Sequence, residues 1–292
     1  FFFVLAMAMR AHRLMAAGLR LNSRTVTEGD PYHTPVVILH GLFGSLSNWG
    51  SLATTMSRRC NREVHTLDLR NHGLSPHSPE MGFQAMAEDV HETVQALQCS
   101  RPPIVIGHSL GGKVAMEYCL RYPGWQSGLV VVDIAPRNYG GYQDVARYIA
   151  IMQGIDLTAA TSSKDVLPAM AEVEDASIKT FLLSNLIPAG PGKAGLRWKF
   201  NLDGIAASLD SLSTFSRDLE DTSEDLPALV VAGEQSNYVV PADHTRFRQL
   251  FPAVQFITVP AAGHWVHFDQ PKAFVDHCAD FIHECVPEED CG

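Results

Sequence analysis

The sequence predicts an α/β protein with a mostly parallel central sheet flanked by helices and a helical cap insert. Three observations carry that expectation. Short runs rich in Val, Ile and Leu recur along the chain, turns and helical patterns follow them, and the runs are continuous rather than alternating with polar residues. Continuous apolar strands are buried on both faces, the condition of a parallel sheet covered by crossover helices. A chain of 292 residues is ample for such a core.

The strands are expected, in order, at PVVILH (35–40), VHTLDL (64–69), PIVIGH (103–108), LVVVDI (129–134), ALVVAG (228–233) and VQFITV (254–259). Helices are expected at 83–98, 110–122, 241–250 and 271–285, the last opening on Pro271, which a first helical turn tolerates. Between about 137 and 220 the rhythm breaks. No Val/Ile run appears there, and short helical segments are separated by PAGPGKAG at 188–195. So long an insert is not expected to be structureless. It reads as a helical cap over the C-terminal edge of the sheet, where open α/β sheets bind ligands. The expected organisation is therefore a core of 25–136 and 221–286, a cap of 137–220 and a tail of 287–292.

Residues 1–24 stand apart by composition. The apolar FFFVLAMAM is followed by Arg10, Arg13, Arg20 and Arg24, with no acidic residue before Glu28. A secretory signal places its positive charge ahead of the apolar run, whereas an Arg-rich, acid-free start suits a mitochondrial presequence. A mitochondrial location is expected, with the cytoplasm as the alternative. The six cysteines form no CxxC pair and read as reduced thiols, not as a disulfide framework or a zinc site. A formal charge of -10 gives no reason to expect nucleic acid, which needs a basic face.

Gly107-His108-Ser109-Leu110-Gly111 is a G-x-S-x-G that directly follows a strand and opens a helix. That context exposes the serine above the sheet, and the glycines leave room for the tight backbone. A serine hydroxyl is a weak nucleophile and needs a base. Of thirteen histidines, His264 has the right setting, between the last strand and the last helix, in the chain order Ser, acid, His. His267 suggests a metal pair, but no adjacent carboxylate or cysteine completes a ligand set. No metal or cofactor is expected.

The acid is conspicuous by where it is missing. After ALVVAG the chain reads Glu234-Gln235-Ser236-Asn237-Tyr238-Val239, with the amide Asn237 where an aspartate after the penultimate strand could have served His264. An amide cannot stabilise an imidazolium as a carboxylate does. One strand earlier Asp133 ends LVVVD on the Ser109 edge of the sheet, and a carboxylate there is costly unless partnered. Asp133 is the expected acid, with Asp203 and Glu234 as alternatives. The turn His40-Gly41-Leu42-Phe43-Gly44 after the first strand can aim a backbone N–H at a developing oxyanion, so Leu42 and Leu110 are the expected donors.

HGLFGSLSNW, LDLRNHGLSPHS, GHSLGGKVAMEY, VVVDIAP, GEQSNYV and AGHWVHFDQP together resemble the α/β-hydrolases of the mitochondrial α/β-hydrolase domain-containing protein 11 subfamily and its bacterial esterase relatives. The likeness runs from about 35 to 285 and is interrupted mainly in the cap. GHSLGG departs from the usual GHSMGG by one apolar exchange. The resemblance implies Ser109, Asp133 and His264 as the triad, although a cap aspartate matching Asp203 is the acid proposed for animal members. It implies cleavage of carboxylic esters or thioesters, of acylglycerol or acyl-CoA type, and a 2-oxo acid dehydrogenase complex as partner. Phe43, Trp198, Tyr238 and Trp265 are expected to line the acyl pocket. The rival expectation is a catalytically silent ligand sensor or interaction protein, since a fold does not fix a function. Dehalogenases and epoxide hydrolases fit poorly, because they attack with an aspartate where this chain has Ser109.

Overall fold

The computed structural model describes residues 18–140, 142–219 and 221–286. Most of the expected targeting segment and the whole expected tail at 287–292 lie outside the described residues. Seven strands form one sheet in the order β1-β3-β2-β4-β5-β8-β9, from β1 (Ser23–Val26), β2 (Val36–Leu39), β3 (Val64–Leu67), β4 (Ile104–His108), β5 (Gly128–Val132), β8 (Ala228–Gly233) and β9 (Val254–Val259). All pairs are parallel except β1 with β3, which are antiparallel.

The continuous apolar runs are explained by two cores, one on each face of the sheet. Val37, Leu39, Val105, Leu129 and Val131 point into one, and Val36, Ile38, Ile104, Ile106, Val130 and Val132 into the other. Side chains alternate between faces along a strand, so both faces demand an apolar residue. Each such side chain contributes about 1.5–3 kcal/mol by leaving water. Helix α1 (Gly50–Cys60) and helix α11 (Pro271–Cys285) cover the second face, while α2 (Phe83–Leu97) and α3 (Leu110–Arg121) cover the first. Within the first face, buried Arg70 pairs with the carboxylate of Asp89 and also donates to the carbonyls of Glu80 and Ala85.

Three features depart from the sequence-based expectation. The folded body begins before residue 25: Leu21 is buried in the first core, its N–H donates to Thr93 Oγ1, and β1 starts at Ser23. Residues 18–24 therefore belong to the body and not to a separable segment. Helix α1 was not expected, because GSLATTMSRRC mixes Gly, Thr and Arg into its apolar stripe. The insert is not purely helical. It holds α4 (Gln143–Gln153), α5 (Ser163–Val166), α6 (Ala176–Leu183), α7 (Leu202–Ala207) and α8 (Leu209–Ser213), but also β6 (Leu186–Pro188) paired antiparallel with β7 (Leu196–Trp198). PAGPGKAG is the loop of that hairpin rather than a helix separator. Two further helices, α9 (His244–Leu250) and α10 (Val266–Asp269), precede α11.

Candidate active site

Strand β4 ends at His108 and α3 begins at Leu110, so Ser109 alone makes the turn, with φ 53° and ψ -117°. A non-glycine residue there costs on the order of 1–3 kcal/mol, tolerated where the surroundings over-determine it. The glycines on either side show how tight the packing is. A Cβ on Gly107 would stand 2.2 Å from the Gly111 carbonyl oxygen, and one on Gly111 would stand 2.5 Å from the Leu39 carbonyl oxygen. Only Gly lets the helix and the strands approach so closely.

Two other strand ends meet this serine. His264, in the loop between β9 and α10, places Nε2 3.0 Å from Ser109 Oγ and Nδ1 2.8 Å from Asp133 Oδ2. Asp133 follows β5 with no solvent exposure, and its φ of 49° swings the carboxylate across the strand ends. Its other partners are the N–H of Gly233, at 3.1 Å, and the hydroxyl of Ser236. Each carboxylate oxygen thus accepts a hydrogen bond, which answers the cost of burying the charge. Ser236 was not singled out from the sequence; it sits within the same segment whose missing aspartate drew attention to Asp133.

A set of buried neutral histidines fixes the backbone around this chain of bonds. His40 donates from Nδ1 to the Gly41 carbonyl and accepts the Leu69 N–H at Nε2, while His72 donates to the Arg70 carbonyl and accepts the Phe43 N–H. His108 donates from Nε2 to the main-chain carbonyl of His264 at 2.9 Å. Burial pushes His40 down, His72 and His267 down to about 3, and His108 well below its usual value. Rings kept neutral can accept as well as donate, and these bonds require both. Sequence reasoning gave no role to the His40, His72 and His108 rings; for His40 and His108 the position at the end of an apolar strand was the available signal, while His72 lies in a turn beyond β3 that offers none.

Leu110 is the first residue of α3, so its N–H precedes any intrahelical acceptor. Leu42 lies in the turn closed by the Gly44 N–H on the Gly41 carbonyl. Both residues line a cavity of about 160 Å³ that also reaches Ser109 and His264. Its walls come from the body through Phe43, Trp49 and Trp265, and from the insert through Tyr142, Val145, Tyr148, Ile178, Phe181 and Leu182, with Tyr238 beside His264.

Trp198 does not line this cavity. Its ring stacks on Phe200, and its N–H donates to the Met152 carbonyl inside the insert, because the hairpin turns this face toward α4. Asp203, on α7, accepts from Gln153 Nε2 at 2.6 Å, while the Nδ1 of His264 is held by Asp133. Glu234 accepts the Ala261 N–H and so braces the loop that carries His264. Among the described residues no three His, Cys, Asp or Glu side chains converge as a metal-binding group, and His267 stacks on Trp49 at 4.2 Å.

Residues 36–277 match the model of the alpha/beta hydrolase family. The sn-1-specific diacylglycerol lipase ABHD11 of Mus musculus is 38% identical over 265 residues, 89% of this chain and 84% of that protein. Esterase YbfF of Escherichia coli is 30% identical over 256 residues, 87% of this chain and 96% of that one. Among solved structures, a marine microorganism esterase superposes with a TM-score of 0.84 at 33% identity, covering 90% of this chain and all of that one. A sheet of this order, a serine at the β4–α3 turn and these relatives agree, and the chain belongs to the α/β-hydrolase family.

Proposed function

We propose that the protein hydrolyses carboxylic esters of the acylglycerol class through an acyl-enzyme on Ser109, with thioesters of acyl-CoA type as the alternative acyl donors. The observation that carries this is the unbroken run of hydrogen bonds from Ser109 through His264 to Asp133 at the wall of an apolar cavity. The relatives named as lipase and esterase support the ester class. Residues 137–220 act as the cap that supplies the outer wall.

In this reading His264 Nε2 takes the hydroxyl proton as Ser109 Oγ bonds to the carbonyl carbon. The resulting oxyanion faces the Leu42 and Leu110 N–H groups. Loss of one such donor typically costs about 3–4 kcal/mol of transition-state stabilisation. The carbon–oxygen bond to the alcohol then breaks, and His264 returns its proton to the leaving oxygen. Water, deprotonated by the same imidazole, attacks the acyl-serine; the acid departs and Ser109 regains its proton. Asp133 holds the ring in the tautomer that presents a bare Nε2 and stabilises the cation that forms. Ligand pockets commonly measure about 300–1,000 Å³, so a cavity of about 160 Å³ makes short acyl chains the first substrates to try.

The test is turnover of short-chain esters together with labelling by a fluorophosphonate. Ser109→Ala is expected to lose both, with turnover falling about a million-fold, as when a triad serine is removed. A folded wild-type protein that neither labels nor turns over any ester would favour the silent-binder alternative.

A further inference from the structure

The cavity holds three phenols that the acyl-transfer steps do not use. Tyr142 and Tyr148 come from the insert and Tyr238 from the loop after β8, and all three line the cavity. None of their hydroxyls bonds to another described residue. Their neighbour Tyr139 is a contrast: its hydroxyl donates to the Tyr238 carbonyl at 2.6 Å and accepts the Ala135 N–H at 2.8 Å. Tyr238 is exposed and Tyr142 and Tyr148 are half-buried, so these hydroxyls are left to bond water or a ligand.

Burial pushes the Tyr142 and Tyr238 phenols up, Tyr142 being opposed further by Tyr238 and Tyr139, and Tyr238 by Asp133, Asp144 and then Tyr148. All three phenols border the one cavity, and a tyrosine hydroxyl can both donate and accept. No Lys, Arg, Asp or Glu lines the cavity. The chemistry on offer is that of neutral hydroxyl recognition, not of phosphate or carboxylate binding.

Their position decides which half of an ester they meet. The Tyr238 ring lies on the His264 ring, centroids 3.9 Å apart and 24° from parallel. His264 Nε2 protonates the departing alcohol oxygen, so the alcohol half leaves along the imidazole, beside Tyr238 and its two companions. In the same reading the Leu42 and Leu110 amides take the carbonyl oxygen, which leaves the alcohol half to the side of the imidazole.

We propose that Tyr142, Tyr148 and Tyr238 are specificity residues that hydrogen-bond a free hydroxyl on the alcohol half of the substrate, making the preferred substrate a partial ester of a polyol such as glycerol. This rests on the ester-hydrolase reading and adds to it the part of the substrate being read. A simple alkyl ester leaves the phenols unpaired when it displaces water, which is how a site built to bond a hydroxyl rejects an analogue that lacks one.

The test compares three butyrates sharing one acyl group: glycerol 1-monobutyrate, propyl butyrate and S-butyryl-N-acetylcysteamine. The proteins are wild type, Tyr142→Phe, Tyr148→Phe and the double variant, each keeping its ring and so the packing of the wall. Wild type is expected to favour the glycerol ester over the propyl ester by about tenfold or more in kcat/KM, the scale of one well-placed hydrogen bond. Each single variant is expected to lower that ratio by about threefold or more, through KM for the glycerol ester, and the double variant by more. A wild-type ratio near one, or a ratio the variants leave intact, overturns the proposal. A preference for the cysteamine thioester that the variants abolish also overturns it, by assigning the phenols to an amide. Failure of the ester reading looks different: wild type then turns over none of the three.

Discussion

Every residue of β2, β3, β4, β5 and β8 is buried, whereas α4 of the insert, eleven residues long, buries only Ile149 and Met152. The contrast extends to polar groups. In the body, Asp133, His108 and His264 are held by partners drawn from separate strand ends; in the insert, Asp156, Asp165 and Asp175 cap local turns, Asp156 for Thr158, Asp165 for Thr161 and Ser162, and Asp175 for Ser177 and Ile178. Bond-making geometry has to be held to fractions of an ångström, and it sits where packing fixes it. The insert, whose elements are short and half-exposed, contributes wall residues, and their exchange is expected to alter which substrate is favoured more than how the bond is cut.

The largest expected effect tests whether the acid belongs to the body or to the insert. Asp133→Asn is expected to reduce ester turnover about ten-thousand-fold, the effect of the isosteric amide at a triad acid, because the ring loses the partner that selects its tautomer. Asp203→Asn is expected to change turnover by less than about threefold, since Asp203 is bonded to Gln153 within the insert. Both variants are to be assayed against one ester under identical conditions. A nearly dead Asp203→Asn beside an active Asp133→Asn would reverse the comparison and move part of the chemistry into the insert.

How much of this was legible in the sequence follows the same division. The buried strands could be found because two covered faces leave no choice of residue, and Ser109 because strand, turn and helix adjoin it. Asp133 was reachable because a strand-end carboxylate needs a partner. β1 was not: SRTV is an exposed edge strand whose partners lie some forty residues on in β3, and no local periodicity announces it. The β6–β7 hairpin was missed for a related reason, its strands being three residues long and one containing Pro188. Tyr142, just before α4, and Tyr148, on it, were invisible as cavity residues, since their direction depends on how α4 docks and not on α4 itself.

A smaller effect concerns acid stability, which should be a property of the body. His40, His72, His108 and His267 are buried there and held neutral, and residues 137–220 contain no histidine. The sign follows from the lowered native values. Below about pH 6.5 the unfolded chain takes up protons that the native rings refuse, so this stability is present above 6.5 and is lost as pH falls toward about 3 for His72 and His267. Each such ring contributes up to about 1.4 kcal/mol per pH unit in that window. Asp89 and Glu117, raised by burial, act in the opposite sense where they titrate. Lys113, lowered by burial to about 7, adds a loss of the same sign in the upper part of this range. Urea unfolding between pH 7.5 and 5.5 therefore reads the histidines together with that lysine, and the midpoint is expected to fall steadily; a flat midpoint would contradict their neutral burial.

The smallest expected effect separates a tryptophan that supports the insert from tyrosines that read a substrate. Trp198 looked like a pocket residue in the sequence, yet it is buried between Phe200, on which it stacks, and the Met152 carbonyl that accepts its N–H. Trp198→Phe keeps an aromatic ring but removes that bond and leaves the Met152 carbonyl without this donor. One such hydrogen bond is worth about 0.5–1.5 kcal/mol net, so thermal or urea unfolding should register a loss of about 1 kcal/mol. The cavity is untouched, and the ratio of kcat/KM between glycerol 1-monobutyrate and propyl butyrate is expected to stay within about twofold of wild type. Tyr142→Phe removes a single hydroxyl from the same insert and is expected to do the reverse, altering that ratio with little change in stability. If Trp198→Phe altered selectivity as strongly as Tyr142→Phe, the wall would be responding to the insert's packing as a whole, and the assignment of selectivity to individual hydroxyls would fail.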